Sequence, residues 1–483
     1  MDLDVIKKMD SPFDYLDQLI KDHRDQCASN KFIQDKIEDL HRFLTDMKNY
    51  CSSTSDTPIH FLVRQNKPED IQTLYKAGFK ELIYSKNKRG IHPLFICLDP
   101  YLPRDTDLIL KWIKTFIDLN VDIHICDNKG NNVMHIAAIL GDVDVIDFLS
   151  SQKVDLNKET VYGIRPLTLA IQFHNEAAKQ KLESLGAEAP NAEKFVKIRE
   201  HYLIFGKAKL DEALKKRLTR GGGYPKEFFL TAIKFFETYI AESNYRHLPD
   251  ADKKFNKILS SLKNSEKNQS LSPSQLAEKL LIGDYEDHMF ALGNFYHVMG
   301  AFLEKKPDGN FALHLAERGQ YLKNFTQIWN SPKDMFFHTS KKINIPRDKL
   351  KTVIQLLYQA HHSDQIKSTA IFFSEIPKVI GNPYIDHPHI KQSAMRKGLC
   401  YFSNPLALIE LRFMQEFGDP DPALAIEMYK DFTIYMREKS TVELGQFITP
   451  EQNPTEDDLR LMEDLMEESQ KIINEKRNKF NMK

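Results

Sequence analysis

The stretch DNKGNNVMHIAAILG, residues 127–141, combines a glycine turn, a short apolar helix and a second glycine break. Another apolar segment follows and runs to Leu149. A unit this small cannot bury both of its faces alone, so the pattern predicts that it recurs along the chain. It does recur: the related tetrapeptides TPIH, HPLF, NVMH and RPLT begin at residues 57, 92, 132 and 165, with spacings of 35, 40 and 33 residues. Residues 99–105, between the helices of the second copy, account for the longest spacing.

These four units, over residues 51–189, resemble the ankyrin repeat. The resemblance implies a stack of helix pairs that binds other proteins and has no chemistry of its own. We expect recognition on the exposed hairpin tips, such as residues 86–89 and 128–131, and on the concave helix face. We expect His60 and His135 to hydrogen-bond backbone and bridge neighbouring units. Asn157 matches a turn position, where we expect turn hydrogen bonds; hydroxylation there is the alternative.

The composition is that of a globular chain without a dominant charge. Its 483 residues are too many for one core and predict two or three domains. The 67 basic and 68 acidic residues leave a net charge of −1, so no overall field attracts nucleic acid or a membrane surface. No apolar run approaches the ~18 residues that span a bilayer. We therefore expect neither direct nucleic-acid binding nor membrane insertion, and we expect a monomer.

The cysteines favour a reducing compartment. They are odd in number and widely spaced, without a C-x-x-C pair: Cys27, Cys51, Cys97, Cys126 and Cys400. The beginning of the chain, MDLDVI, lacks the basic and apolar segments of a Sec-type signal peptide. No cofactor is expected, and no metal either, because the histidine pairs at 361–362 and 387–389 lack the acid or cysteine partners of a metal site.

The chain divides into four predicted regions. Residues 1–50 have helix-spaced apolar positions and predict a helical cap on the repeats of 51–189. The period of the repeats is lost after residue 190, and residues 192–455 form a second domain of mixed texture. The charged, amphipathic segment 456–483 predicts a C-terminal helix.

Within the second domain, the apolar runs 297–303 and 311–316 flank KPDGN, residues 306–310, and predict a β-hairpin. Helices are predicted at 193–218, 225–241, 274–281, 350–357 and 401–414. Residues 369–373 predict a strand, and residues 383–389 predict an irregular loop.

Three residues of this domain form a candidate catalytic set. His297 begins the first hairpin strand, and Glu317 follows the end of the second, so antiparallel pairing would bring them to the same end of the hairpin. Cys400 lies at the predicted start of a helix, where the helix dipole favours a thiolate. These are the types of a nucleophile, a base and a group that orients the base. His288 is a competing base, and ordinary structural roles are the alternative for every one of these residues.

The order His, acid, Cys, with a hairpin between the first two and a helix after the Cys, is similar to the clan of cysteine enzymes that holds ubiquitin-like-protein proteases and YopJ-type acetyltransferases. Segments 371–375 and 391–403 resemble the strand, Gln and Cys segments of that clan. The resemblance implies that Gln392 donates to an oxyanion. The residues Val298 and Tyr401 depart from the aromatic and glycine common at these two places in the clan.

Together, the two halves resemble Legionella-type ankyrin effectors with a C-terminal cysteine-protease-like domain. The resemblance implies a multidomain fold, with an all-α ankyrin stack followed by an α+β cysteine-protease-like domain that has helical additions. It implies secretion by a bacterium, without a Sec signal, into the host cytoplasm or nucleus. There the repeats would bind a host protein, and the second domain would act as a ubiquitin-like hydrolase. Acetyl transfer through the same Cys400, or a non-catalytic scaffold, remains open.

Overall fold

In a computed structural model, the chain is described over residues 56–64, 68, 71–72, 75, 83–87, 90–99, 105–205, 214, 218, 225–268, 271, 273–283, 287–294, 297–316, 339–362, 370–391, 400–446 and 456–481. Backbone alone is described at 225–226, 291–294, 297–299, 316, 339–341, 361–362, 386–391, 400–405, 456–459 and 479–481. The predicted cap at 1–50 lies outside these residues. The chain forms two compact units, one holding residues up to Asn128 apart from 99–106, and one holding 99–106 and everything from Lys129.

The first unit contains α1 (Pro58–Arg64), α2 (Pro93–Cys97) and most of α3 (Thr106–Asp118). α1 packs against α2, as the two inner helices of neighbouring repeats should. Pro93 occupies the first turn of α2, where its missing N–H costs nothing. The large rings of α3, Trp112 and Phe116, are buried and stack with centroids 6.0 Å apart.

The second unit begins with two helix pairs: α4 (Val133–Leu140) with α5 (Val143–Ser151), and α6 (Pro166–Gln172) with α7 (Glu176–Ser184). Asn132 begins α4 through a capping box with His135, in which each side chain satisfies an amide of the other residue. Gly141 ends α4 in the left-handed conformation, with φ of 80°. α4 packs against α6, and α5 against α7, so the predicted repeat pattern is confirmed here.

Helices and one antiparallel sheet make up the remainder of this unit. The helices are α8 (Ala192–Phe205), α9 (Pro225–Glu242), α10 (Ala251–Lys267), α11 (Pro273–Ile282), α12 (Leu350–His362), α13 (Ile376–Ile380), α14 (Cys400–Phe417), α15 (Pro422–Gln446) and α16 (Glu456–Asn481). The strands, in spatial as well as chain order, are β1 (Asp287–Asn294), β2 (His297–Lys305), β3 (Phe311–Ala316), β4 (Thr339–Ile345) and β5 (Ile385–Lys391).

The predicted hairpin is confirmed as β2 and β3. Gly300 pairs with Ala316 and Lys305 with Phe311 across the two strands. Lys306 donates its amide to the Asn310 carbonyl at 2.8 Å, and Gly309 takes a φ of 79° in the turn. Asp-Gly therefore forms the turn for the reason predicted, since glycine accepts a positive φ at little cost.

The sheet has helices on both faces, and the alternation of side chains divides its residues between them. Phe290, Leu303 and Leu313 lie on one face, in a core with α11 and α12. The opposite face packs against α14, chiefly through β2. It carries Met289, Phe302 and the polar residues described below. This second layer gives the domain an α+β organisation within a mostly helical protein.

Two predicted elements of this domain are wrong. Residues 371–373 of the predicted strand 369–373 belong instead to a π-helical turn, residues 371–375, that leads into α13. Ile371, Ile376 and Ile380 are all buried, and this helical spacing outweighed the β propensity of a short aromatic run. Residues 383–389, predicted as a loop, contain the start of β5, which pairs with β4 at the edge of the sheet. Proline has no N–H to donate to a neighbouring strand, so a strand that contains Pro388 is tolerated at an edge, where one side of the strand has no partner.

Candidate functional site

The histidines of the repeats form the same bridge in both units. In the first unit, His60 Nδ1 lies 2.8 Å from Thr57 Oγ1, and its Nε2 lies 2.9 Å from the Ile91 carbonyl. In the second, His135 Nδ1 lies 2.7 Å from Asn132 Oδ1, and its Nε2 lies 3.1 Å from the Ile164 carbonyl. One ring nitrogen caps the histidine's own helix and the other holds the loop before the next repeat, as the sequence predicted.

The hairpin loop before α6, residues 160–164, forms a finger with a rigid tip, here called the fingertip. Thr160 donates its amide to the Ile164 carbonyl, and Thr160 Oγ1 accepts the Ile164 amide at 3.1 Å. The Val161 amide donates to the Lys129 carbonyl of the preceding finger at 2.8 Å. With its backbone fixed in this way, the Val161 side chain is 67% exposed. The tip is an ordered, solvent-facing surface that includes an aliphatic side chain.

Asn157 performs the expected turn role. Its Oδ1 accepts the Glu188 amide at 2.7 Å, and its Nδ2 lies 3.4 Å from the Gly186 carbonyl. The side chain therefore links the third repeat to the end of the fourth.

The predicted catalytic residues fall on informative backbone positions. His297 is the first residue of β2, and β3 ends at Ala316, opposite Gly300. Cys400 is the first residue of α14, and α14 packs against β2. Glu317 and Gln392 lie outside the described residues, as do the side chains of His297 and Cys400. The catalytic roles of these four residues therefore stay predictions.

The competing base His288 is buried in the sheet. Its ring lies edge-on to Phe290, with centroids 4.3 Å apart. Its side chain is 1% exposed, and its Nδ1 has no hydrogen-bond partner among the described residues. Burial lowers the pKa of His288 to about 3, so the ring is neutral and enclosed. A base must reach its substrate, and this environment does not provide access.

Sequence reasoning missed a polar cluster beneath α14. His314 Nε2 lies 2.9 Å from Glu304 Oε2 across β2 and β3. The His314 side chain is 3% exposed, and burial lowers its pKa despite the carboxylate beside it. Arg412 of α14 lies over the Phe302 ring and 3.3 Å from Asp287 Oδ2 of β1. The alternation of side chains along the strands, in FLE (302–304) and HLA (314–316), could have placed Glu304 and His314 on one face of the sheet. Nothing in the sequence, however, shows that the two residues are neighbours.

The cluster ties α14 and α10 to the sheet. Ser261 of α10 donates to Asp287 Oδ1 at 2.6 Å, and Ser265 Oγ accepts the Met289 amide at 2.8 Å. The second bond covers an amide on the edge strand β1, which would otherwise be open to another strand.

Two kinds of feature are absent from the described part of the chain. Among those residues, no group of three or more His, Cys, Asp or Glu side chains could hold a metal ion. Within the same residues, no helix is long and apolar enough to cross a membrane.

No family model matches the chain. The chain is 28% identical over 123 residues to serine/threonine-protein kinase 12 of Arabidopsis thaliana, which covers 25% of the chain and 26% of that protein. It is 24% identical over 196 residues to alpha-latrocrustotoxin-Lt1a of Latrodectus tredecimguttatus, covering 39% of the chain and 13% of the toxin. The chain therefore spans only a minor part of either relative.

The structure of the Legionella effector AnkH resembles this protein over most of its length. The match covers 82% of this chain and 83% of that one, with a TM-score of 0.56 and 16% sequence identity. At that identity the likeness concerns the fold. Because the match covers 82% of the chain, the likeness extends beyond the repeats into the region that follows them.

Proposed function

We propose that the protein is a translocated bacterial effector that captures a host protein through its ankyrin repeats. The likeness to AnkH over 82% of the chain is the observation that carries this proposal, because it extends well beyond the repeats. The proposed site of action is the host cytoplasm or nucleus. The near-zero net charge favours a protein partner over direct contact with nucleic acid.

The proposed docking surface is the row of fingertips, with the concave helix face beside it. Rigid loops with exposed side chains bind with little loss of conformational entropy. Val161 is 67% exposed on a loop whose backbone is fixed by hydrogen bonds to its own turn and to Lys129. An aliphatic contact at this tip, with polar residues around it, suits a protein surface.

Site-specific photo-crosslinking in host cells tests this surface. A photoreactive amino acid replaces Val161 or, as the control, Ile282, which is 68% exposed at the end of α11. We expect a discrete host-protein adduct from position 161 that is absent from position 282. No adduct from position 161, or the same adducts from both positions, would overturn the proposal.

A second proposed activity is thiol hydrolysis in the domain after the repeats. It is supported by α14, which begins at Cys400 and packs against the strand that begins at His297. Arg412 lies near Asp287 and Phe302, toward the Lys305 end of β2. Cys400 lies twelve residues before Arg412, which corresponds to about 18 Å along the helix. His297 lies five residues before Phe302, which corresponds to about 17 Å along the strand. A parallel course of α14 along β2 would bring Cys400 to the His297 end.

In the proposed mechanism, the Cys400 thiol gives its proton to His297, and the thiolate attacks a carbonyl carbon. His297 then protonates the departing amine, and a water molecule hydrolyses the thioester to release the acid and restore the thiol. Glu317 would orient the imidazole, and Gln392 with nearby amides would stabilise the oxyanion. The helical form of residues 371–375 departs from the strand of the protease clan and weighs against this activity.

A ubiquitin vinylsulfone probe tests the hydrolase proposal. The expected result is labelling of the wild type and of Cys126→Ala, a partly exposed cysteine of the repeats, with none on Cys400→Ala. Acetyl-CoA-dependent labelling at Cys400 without reaction toward the probe would replace hydrolysis by acetyl transfer. If neither reaction occurs and Cys400→Ala retains the effects on the host, the domain is a non-catalytic binding scaffold.

A further inference from the structure

The helix α8 directly after the repeats is buried on every side from Ile198 to its end at Phe205. Residues all around its circumference are enclosed, including Phe195, Arg199, His201 and Tyr202. It packs against α6 of the last repeat and against α15 of the following domain. A helix that only capped a stack would keep a polar outer face. α8 instead forms part of two cores at once.

Arg199 fixes α8 to α9. Its Nε lies 2.8 Å from Glu227 Oε1 and its Nη2 lies 3.1 Å from Glu227 Oε2, which is a two-pronged pair. Its Nη1 donates to the Leu218 carbonyl. Arg199 is fully enclosed and Glu227 nearly so. An interior pair of this kind is sensitive to loss of either partner, because the remaining charge is left without compensation.

His201 connects α8 to two more helices. Its Nδ1 lies 3.1 Å from Ser440 Oγ of α15, and its Nε2 lies 2.6 Å from Ser469 Oγ of α16. Ser469 Oγ also donates to the Leu465 carbonyl at 2.5 Å, so it accepts from His201 Nε2–H. One imidazole therefore holds three helices in register.

A charge network lies beside these contacts. Lys197 of α8 and Lys234 of α9 both donate to Glu443 Oε2 of α15, at 2.8 and 2.5 Å. Lys234 also donates to Glu200 of α8 at 3.0 Å. Two cations and two carboxylates thus alternate across three helices, half-buried and balanced in charge.

We propose that α8 makes the repeats from Lys129 onward and the following domain a single cooperative body, rather than two modules on a linker. Three sets of polar contacts hold α8 in the following domain, while its apolar side chains complete the core under α6. A partner bound to these repeats is then held in a fixed position relative to the sheet and α14. The coupling is a property of the folded chain and does not depend on the identity of a partner.

Native-state hydrogen exchange on the full chain, in increasing urea, tests the coupling. Amides of α6, α8 and α15 are expected to share one large opening, with the same urea dependence. Arg199→Met should lower protection in all three helices by the same factor, roughly tenfold or more. Ser469→Ala, a milder change on α16 and remote from the repeats, should lower the same amides together by a smaller factor.

The control is Arg246→Met, whose ion pair with Asp252 is more than half exposed, and which should leave all three helices unchanged. Loss of protection in α8 and α15 with α6 unaffected, for either variant, would overturn the proposal. Separate urea dependences for α6 and α15 in the wild type would overturn it as well.

Discussion

The repeats and the domain after them bury polar groups in opposite ways. His60 and His135 bond to carbonyls 31 and 29 residues ahead, one repeat away, in the same geometry. His201 bonds to Ser440 and Ser469, which lie 239 and 268 residues ahead. The repeats satisfy their polar groups through a local rule used several times. The second domain forms such bonds singly, between chain segments that meet only in the folded state.

This difference predicts where substitutions do most damage. A lost bridge in the repeats affects one interface between neighbouring units. A lost pair around α8 affects several helices, because its members come from distant parts of the chain. We therefore expect the largest effects around α8, intermediate ones at the bridging histidines and the smallest at the finger glycines.

The largest expected effect is that of Arg199→Met. It leaves Glu227 enclosed without its cation, and we expect a loss of about 3–5 kcal/mol in the free energy of unfolding. Urea denaturation monitored by circular dichroism measures it. The exposed pair in Arg246→Met should change the same quantity by no more than ~1 kcal/mol. Equal losses in the two variants would remove the distinction between the regions.

The second prediction concerns acid. Burial lowers the pKa of His201 to about 4 from 6.5, so the unfolded chain binds a proton that the folded chain excludes. This contribution is fully present above pH 6.5 and is lost as the pH falls toward 4, up to about 3 kcal/mol at 1.36 kcal/mol per pH unit. Unfolding free energies measured from pH 7 to 4 should decline less steeply in His201→Gln. An unchanged slope in that variant would contradict the assignment.

The third prediction concerns the bridge of the repeats. His135→Leu keeps the volume but removes the cap on Asn132 and the partner of the Ile164 carbonyl, so we expect a loss of about 2 kcal/mol. His124→Gln, on an exposed ring, should stay within ~0.5 kcal/mol of wild type. Thermal unfolding followed by circular dichroism compares them. A His124→Gln loss as large as that of His135→Leu would show that the bridge contributes nothing special.

The smallest expected effect is a difference in stability loss between alanine substitutions at two glycines of nearly equal φ. Gly130 (φ +82°) would bring a new Cβ to 3.1 Å from Thr160 Cα, whereas Gly186 (φ +85°) has nothing within 4 Å. Gly186→Ala should cost about 1 kcal/mol from the backbone alone, and Gly130→Ala should cost about 1 kcal/mol more through the contact. Equal losses in urea denaturation would mean that the fingers adjust freely.

The same contrast explains what the sequence could predict. The repeats, the β2–β3 turn at Gly309 and the start of a helix at Cys400 depend on local patterns, and each was predicted correctly. The strand β1 and the π-helical turn at 371–375 depend on packing around short apolar runs, and were missed. Pairs such as His314 with Glu304 leave no periodic signal, because only the fold makes them neighbours.

The most direct test of the docking role compares two exposed aliphatic side chains, one in each region. The affinity of the host protein crosslinked from position 161 is measured for Val161→Asp and Ile282→Asp, whose parent side chains are 67% and 68% exposed. We predict a loss of about tenfold or more for Val161→Asp and no change for Ile282→Asp. Unchanged binding by Val161→Asp, with a loss for Ile282→Asp, would place recognition outside the repeats and contradict the account.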